Sequence, residues 1–155
     1  MEYWEFLPYR SVGPIRFEDT KDIIDKKVGE SKRTIFCKNE KVVSCDYDCM
    51  SVDYDIKKQT IETIGIFPQI CDLTITYNGI NITQKDYKLT LSQLISLHCN
   101  IYFTFGFFFV REIGIGFYVS DDYLSDITIY SKNYADDWWS ENQEDCKLIT
   151  LNDLT

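Results

Sequence analysis

The sequence has little of what acid–base catalysis needs, because its 155 residues include a single histidine, His98. Beyond that residue the chain offers no Ser-His or Cys-His dyad to activate a nucleophile. The spacing of Leu91, Leu94, Ile95 and His98 predicts a helix, capped by Thr90, with the imidazole on its apolar face. We therefore expect a hydrogen-bonded core histidine and no enzyme activity. A hydrolase that uses His98 as general base is the residual alternative.

Basic residues and long apolar runs are also scarce. Sixteen Lys and Arg face 25 Asp and Glu, and the resulting net charge of −9 disfavours direct binding to phosphate backbones. The longest apolar run, Ile101–Val110, is interrupted by Thr104 and Gly106 and has about half of the roughly 20 residues that a membrane span needs. It is predicted to be one buried strand. Because Met1 leads directly into Glu2 without a secretion signal, we expect a cytoplasmic protein.

Cysteine-based and nucleotide-based sites are not indicated either. The six cysteines are scattered, and in a chain without a secretion signal we expect free thiols. Cys45-x3-Cys49 with one histidine falls short of a zinc site. Gly114-Ile115-Gly116 lacks the third glycine of a dinucleotide fingerprint, and we expect these glycines to let the sheet bend or another element approach closely. No metal or cofactor is predicted. The cysteines are Cys37, Cys45, Cys49, Cys71, Cys99 and Cys146.

What the chain does contain is the pattern of one α+β domain over residues 1–155, since single domains commonly have about 100–200 residues. A short helix is predicted to begin at Asp19 or Thr20 and to end at Gly29. Strands follow in runs rather than alternating with helices, beginning with the two-residue period of Met50–Ile56. These features predict a twisted, mainly antiparallel sheet carrying two short helices.

Two hairpins are predicted from turn residues and alternation. Asn78-Gly79 tolerates the positive φ angles of a type I′ turn, and this turn places Tyr77 opposite Ile80. The alternating stretches Ile113–Val119 and Ile127–Tyr130 flank a turn at Asp121-Asp122-Tyr123 and form the second hairpin.

Acidic residues are concentrated beyond residue 120, where nine face only two lysines. Asp136-Asp137-Trp138-Trp139 places two carboxylates beside two large amphipathic rings, a combination typical of protein-binding surfaces. The alternative is that the charge serves solubility and that the indoles cover the core. If the surface binds, its partner is a basic protein. The predicted partner-binding residues are Asp121, Asp122, Tyr123, Asp136, Asp137, Trp138, Trp139 and Glu141.

Two stretches carry a resemblance to a known class of proteins. They are Ser11-Val12-Gly13-Pro14-Ile15-Arg16-Phe17, which leads into the first helix, and Ile113–Val119 followed by Ile127–Tyr130. Together they resemble bacterial immunity proteins of contact-dependent growth inhibition and related polymorphic toxin systems. The resemblance implies a cytoplasmic antitoxin that neutralises a cognate toxin domain, often a nuclease, by binding it. No individual binding residue follows from it.

A second hypothesis is a small-ligand or lipid-binding module with an aromatic pocket. Its wall would consist of the phenylalanines between residues 103 and 109. Because neighbouring side chains of a strand alternate, Phe107 and Phe109 should point away from Phe108, which favours core packing. The pocket residues would be Phe103, Phe105, Phe107, Phe108 and Phe109.

Overall fold

The computed structural model describes residues 2–37, 39 and 41–155. Its α-helices are α1 Lys21–Val28, α2 Tyr87–Ser96 and α3 Lys132–Asn142, and 3-10 helices span Gln143–Asp145 and Leu151–Leu154. The first strands are β1 Glu2–Leu7, β2 Ser11–Val12, β3 Ile15–Arg16, β4 Arg33–Cys37, β5 Val42–Asp46, β6 Met50–Asp55 and β7 Ile61–Ile66. The later strands are β8 Leu73–Tyr77, β9 Ile80–Asn81, β10 Ile101–Thr104, β11 Phe107–Val110, β12 Ile115–Ser120, β13 Tyr123–Tyr130 and β14 Lys147–Leu148.

The described strands form two sheets. The larger has the order β14-β10-β11-β12-β13-β7-β6-β5-β4 and is antiparallel throughout. The smaller has the order β3-β2-β1-β8-β9, and its β1·β8 pair is parallel. The predicted α+β class with mainly antiparallel pairing is confirmed. The expected single sheet is instead two, because β1 pairs with a strand far along the chain, which local patterns do not reveal.

The main core lies between the two sheets and the first two helices. Ile64 and Ile129 come from the larger sheet, Ile75 from the smaller, Ile24 from α1 and Leu91 from α2, and all five are fully buried. A second, smaller apolar cluster lies under α3. The part of the larger sheet that contains β11 and β13 therefore has apolar contacts on both of its faces.

Several local predictions are confirmed. Helix α1 has Thr20 at its N-cap position and ends before Gly29, whose φ is +98°. The expected hydrogen bond from the first turn to the Thr20 side chain is not formed. Tyr77 pairs with Ile80 across Asn78-Gly79, and both turn residues have positive φ, as a type I′ turn requires. The second predicted hairpin is β12–β13.

The prediction for α2 is wrong at both ends. Asp86 caps the helix, and its side chain accepts a hydrogen bond from the Leu89 N–H at 3.1 Å. Thr90 lies inside the helix, where its hydroxyl donates to main-chain carbonyls. The helix ends at Ser96, so His98 follows it with a φ of +65° and is exposed to solvent. The apolar periodicity continued past the point where the helix stops, and His98 is not a core residue.

The apolar run at Ile101–Val110 is also not one strand. It folds back on itself as the β10–β11 hairpin, with a two-residue turn at Phe105-Gly106. Phenylalanine is not a turn-forming residue, which is why the reversal escapes sequence patterns. Across the described chain, no helix combines the length and apolarity that crossing a membrane would require.

One pair of cysteines corrects the expectation of free thiols. A disulfide joins Cys49, just before β6 of the larger sheet, to Cys71, just before β8 of the smaller one. The bond links the two sheets, and its partners become neighbours only when those sheets pack. Cys45 is a buried free thiol, as expected for a small core residue.

Candidate functional site

Helix α3 carries most of the predicted binding residues and was not foreseen as a helix. Ser131 caps it, accepting a hydrogen bond from the Tyr134 N–H at 3.3 Å. Its inner side contributes Ala135, fully buried, and the half-buried rings of Trp138 and Trp139. The helical periodicity thus divides the predicted site residues into one set that faces the sheet and another that faces outward.

The inward set rests on an aromatic layer of the larger sheet. The Trp138 ring lies 4.5 Å from that of Phe109 and 5.2 Å from that of Phe107, centroid to centroid. Phe107 can lie flat there because Gly116, on the neighbouring strand, has no side chain: a Cβ added to it would be 2.0 Å from the ring. The close approach predicted for these glycines is confirmed, and Trp138 is a structural anchor of α3.

Trp139 and Asp136 contact neighbouring side chains on the other side of the helix. The Trp139 ring contacts Tyr102 at 4.4 Å, and the Arg111 guanidinium lies 5.3 Å from its centroid. The Asp136 carboxylate pairs with Lys132 at 2.9 Å and with Arg111 at 3.9 Å. Burial raises the pKa of Tyr9 to about 12, and the Asp136 charge adds to this effect. Asp136 therefore has ion-pair partners within the fold, although its side chain remains partly exposed.

The outward set is a row of four exposed carboxylates, which we call the acidic ridge: Asp137, Glu141, Glu144 and Asp145. Their spacing of four, seven and eight residues from the first member puts them on one side of α3 and its 3-10 extension. None of them forms an ion pair within the described part of the chain. These carboxylates are available to a partner.

The remaining predicted residues lie at the β12–β13 turn, at the opposite end of β13 from the start of α3. Asp121 and Tyr123 are exposed there. Asp122 accepts a hydrogen bond from the Tyr87 hydroxyl and lies 3.5 Å from the Lys88 Nζ. This hydrogen bond and this charge lower the pKa of the Asp122 carboxyl. Asp122 thus ties the turn to α2, whereas Asp121 has no ion pair among the described residues.

The phenylalanines of the pocket hypothesis are spread over both faces and the tip of one hairpin. Phe107 and Phe109 face α3, whereas Phe108 packs against Phe103 and against Tyr87 of α2. The predicted alternation is confirmed. Phe105 stands alone at the tip, 94% exposed. The five rings are not arranged as one pocket wall.

The sequence thus predicts Asp137 and Glu141 of the ridge but not Glu144 and Asp145, and it predicts Phe105 in a pocket wall rather than at an exposed tip. The helical spacing of the ridge was visible in the sequence, and Ser131 was the available cap signal. Within residues 2–37, 39 and 41–155, no group of three or more His, Cys, Asp and Glu side chains could hold a metal ion. No family model, curated protein or solved structure matches this chain.

Proposed function

We propose that this is a cytoplasmic antitoxin that binds and neutralises a basic toxin domain, with a nuclease as the expected target. The resemblance to immunity proteins suggests the class. The observation that carries the proposal is the acidic ridge, whose four exposed carboxylates have no ion pair with any residue that the structure describes. Such a row can occupy the sites where a nuclease binds phosphates and can steer the encounter of the two proteins.

The position of the ridge supports a role outside the fold. A helix carries partial negative charge at its C-terminal end, so carboxylates there are unfavourable. Glu141 lies in the last turn of α3, and Glu144 and Asp145 follow directly. No basic residue occupies that turn to compensate. The helix gains no stability from these charges, and this supports a role for them in recognising a cation.

The tryptophans support the proposal differently from the sequence-based expectation. Trp138 and Trp139 hold α3 against the sheet through Phe107, Phe109 and Tyr102. A helix fixed in this way presents its carboxylates with little loss of conformational freedom on binding. We therefore assign the indoles a positioning role and the ridge the contact with the partner.

The resemblance to immunity proteins implies that the cognate toxin is the C-terminal domain of a large exported protein encoded immediately upstream. The test is a titration of that domain with the wild type and a ridge variant, Asp137→Asn/Glu141→Gln/Glu144→Gln. We expect the dissociation constant to rise at least about tenfold, mainly through slower association and with weaker salt dependence. Alanine at Trp138 or Trp139 is a poorer test, because it would also loosen the helix.

A matched control removes the same charge from exposed carboxylates of the N-terminal half, in Glu2→Gln/Glu5→Gln/Glu30→Gln. This variant should bind like the wild type. If both variants lose affinity equally, the effect comes from net charge and not from the ridge. If the ridge variant keeps its affinity, α3 is not part of the interface.

A further inference from the structure

The most exposed large apolar side chain of the described residues is Phe105, at the tip of the β10–β11 hairpin. Its side chain is 94% exposed, and none of the aromatic contacts among residues 2–37, 39 and 41–155 involves its ring. Phe105 has a φ of +46° and Gly106 a φ of +79°, so both occupy the left-handed region of a type I′ turn. A bulky apolar residue is disfavoured there by its backbone conformation and by its exposure to water.

The same turn geometry occurs at Asn78-Gly79, with the residues that it favours. At the tip of β10–β11 the glycine is required by packing as well, since a Cβ on Gly106 would lie 2.9 Å from the Val119 carbonyl. Nothing comparable requires phenylalanine at position 105. The hairpin would form as well or better with asparagine there. The ring therefore has no structural role in the fold.

Two segments that carry carboxylates lie beside this ring. The Val119 N–H donates to the Gly106 carbonyl at 2.8 Å, which places the β10–β11 tip beside the β12–β13 turn with its exposed Asp121. Tyr123, 54% exposed, follows in the same turn. The register Phe103↔Lys147 places the start of β14 at this end of the sheet, two residues after Asp145 of the acidic ridge. Lys147 itself pairs with Asp153 at 3.6 Å. Carboxylates from two segments thus flank the apolar tip.

We propose that Phe105 is the apolar anchor of the toxin-binding surface and inserts into a pocket of the partner that is rimmed by Lys or Arg side chains. This inference rests on the proposed function and deepens it by naming the second element of the interface. Aromatic side chains that enter a pocket, surrounded by complementary charge, dominate the binding energy of many interfaces.

The charge around the hairpin tip distinguishes among the possible binding partners of Phe105. A second copy of this chain would bring two sets of unpaired carboxylates together, which is repulsive. An anionic membrane surface would repel the same groups. A basic protein is the occupant whose charge complements Asp121 and Asp145 while its pocket removes the ring from water.

The decisive variant is Phe105→Asn, which removes the ring and restores the Asn-Gly sequence favoured by the turn. We expect its thermal midpoint to be no lower than that of the wild type and up to about 4 °C higher. Misfolding therefore could not explain a loss of binding. Affinity for the C-terminal domain of the upstream-encoded protein should fall about 10- to 100-fold. Tyr3→Thr, which removes another exposed ring (72%) from β1, is the matched control and should leave affinity unchanged.

A second probe separates this inference from the proposed function. If the upstream-encoded domain does not bind the wild type, the antitoxin proposal fails, and a random dodecapeptide phage library then tests the tip alone. Enrichment of basic, apolar peptides on the wild type over Phe105→Asn supports the anchor, and equal enrichment on both overturns it. Self-association, or binding to POPC/POPG vesicles, that Phe105→Asn abolishes would also overturn the choice of a basic protein as occupant.

Discussion

Helices α1 and α3 are similar in length but opposite in the way that they use charge. Helix α1 has Asp22 in its first turn and Lys26 and Lys27 in its last, which is the arrangement that the helix dipole favours. Helix α3 begins with Lys132 and has Glu141 in its last turn, so its charges oppose the dipole. The charges of α1 stabilise their own helix, whereas those of α3 do not.

The carboxylates show the same contrast in their contacts. Asp25 of α1 accepts hydrogen bonds from Lys21 at 2.6 Å and from the Tyr47 hydroxyl at 2.7 Å. Asp19, just before α1, is buried and pairs with Lys27 at 2.7 Å. The acidic ridge of α3 has no such partners among the described residues. Carboxylates that form ion pairs within the fold can thus be distinguished from carboxylates that remain available to a partner. Substitutions in each helix test this distinction.

The largest effect should come from removing the aromatic layer under α3. Phe109 is fully buried beneath Trp138 and Tyr130. Phe109→Ala should lower the free energy of unfolding by about 4 kcal/mol, because it removes a large ring and leaves a cavity. Denaturant unfolding measures this loss. Phe36→Ala removes a 66% exposed ring from edge strand β4 and should change stability by less than about 0.5 kcal/mol. A comparable loss of unfolding free energy in both variants would contradict the role of Phe109 as the residue on which α3 packs.

The next largest effect on stability should come from removing the disulfide, which links the two sheets near α1. No disulfide is described near α3. Cys49→Ser/Cys71→Ser should lower the free energy of unfolding by about 3 kcal/mol, the value expected for a cross-link between residues 22 positions apart. Chemical denaturation with and without reductant checks it.

The same bond also bears on the expected cytoplasmic location, because structural disulfides are rare in reducing compartments. Thiol titration of protein from reducing cells should find Cys49 and Cys71 reduced if the protein works there. Reduction without any loss of stability would contradict a structural role for the bond.

A smaller loss is expected from Asp25→Asn, which weakens the ion pair with Lys21 and the hydrogen bond from Tyr47. Burial raises the pKa of Asp25, but these two hydrogen bonds outweigh it and hold the pKa below its usual value. The carboxylate therefore stabilises the fold at neutral pH, and this contribution is lost as the pH falls through the lowered folded-state pKa. The loss in the variant at neutral pH should be about 1–2 kcal/mol.

Unfolding curves from about pH 7 to about pH 3 measure this dependence, and the difference between wild type and Asp25→Asn should shrink toward acid. Asp22→Asn is the control, since Asp22 is exposed and acts only through the helix dipole. A pH-independent difference for Asp25→Asn would contradict the ion pair.

The contrast between the two helices also explains what the sequence could predict. Thr20, Asp22 and Gly29 are local signals at the ends of α1, and the helix was found from them. Helix α3 lacks charges that mark its ends, so its acidic and aromatic residues predict a binding surface but no helix. The disulfide and the turn at Phe105 were missed for different reasons: the first depends on how the sheets pack, and the second uses a residue that turns avoid.

The smallest effect on stability, and the sharpest test of the contrast, is expected from neutralising the ridge. Asp137→Asn/Glu141→Gln/Glu144→Gln should leave the free energy of unfolding unchanged or raise it by about 0.5 kcal/mol, because it removes negative charge from the C-terminal end of a helix. Thermal and denaturant unfolding at low ionic strength measure the gain, and added salt should diminish it as the unfavourable charge becomes screened. A clear loss of stability would mean that the ridge carboxylates serve the fold after all, as those of α1 do. A gain in stability combined with a loss of partner binding is the outcome that only a recognition surface produces.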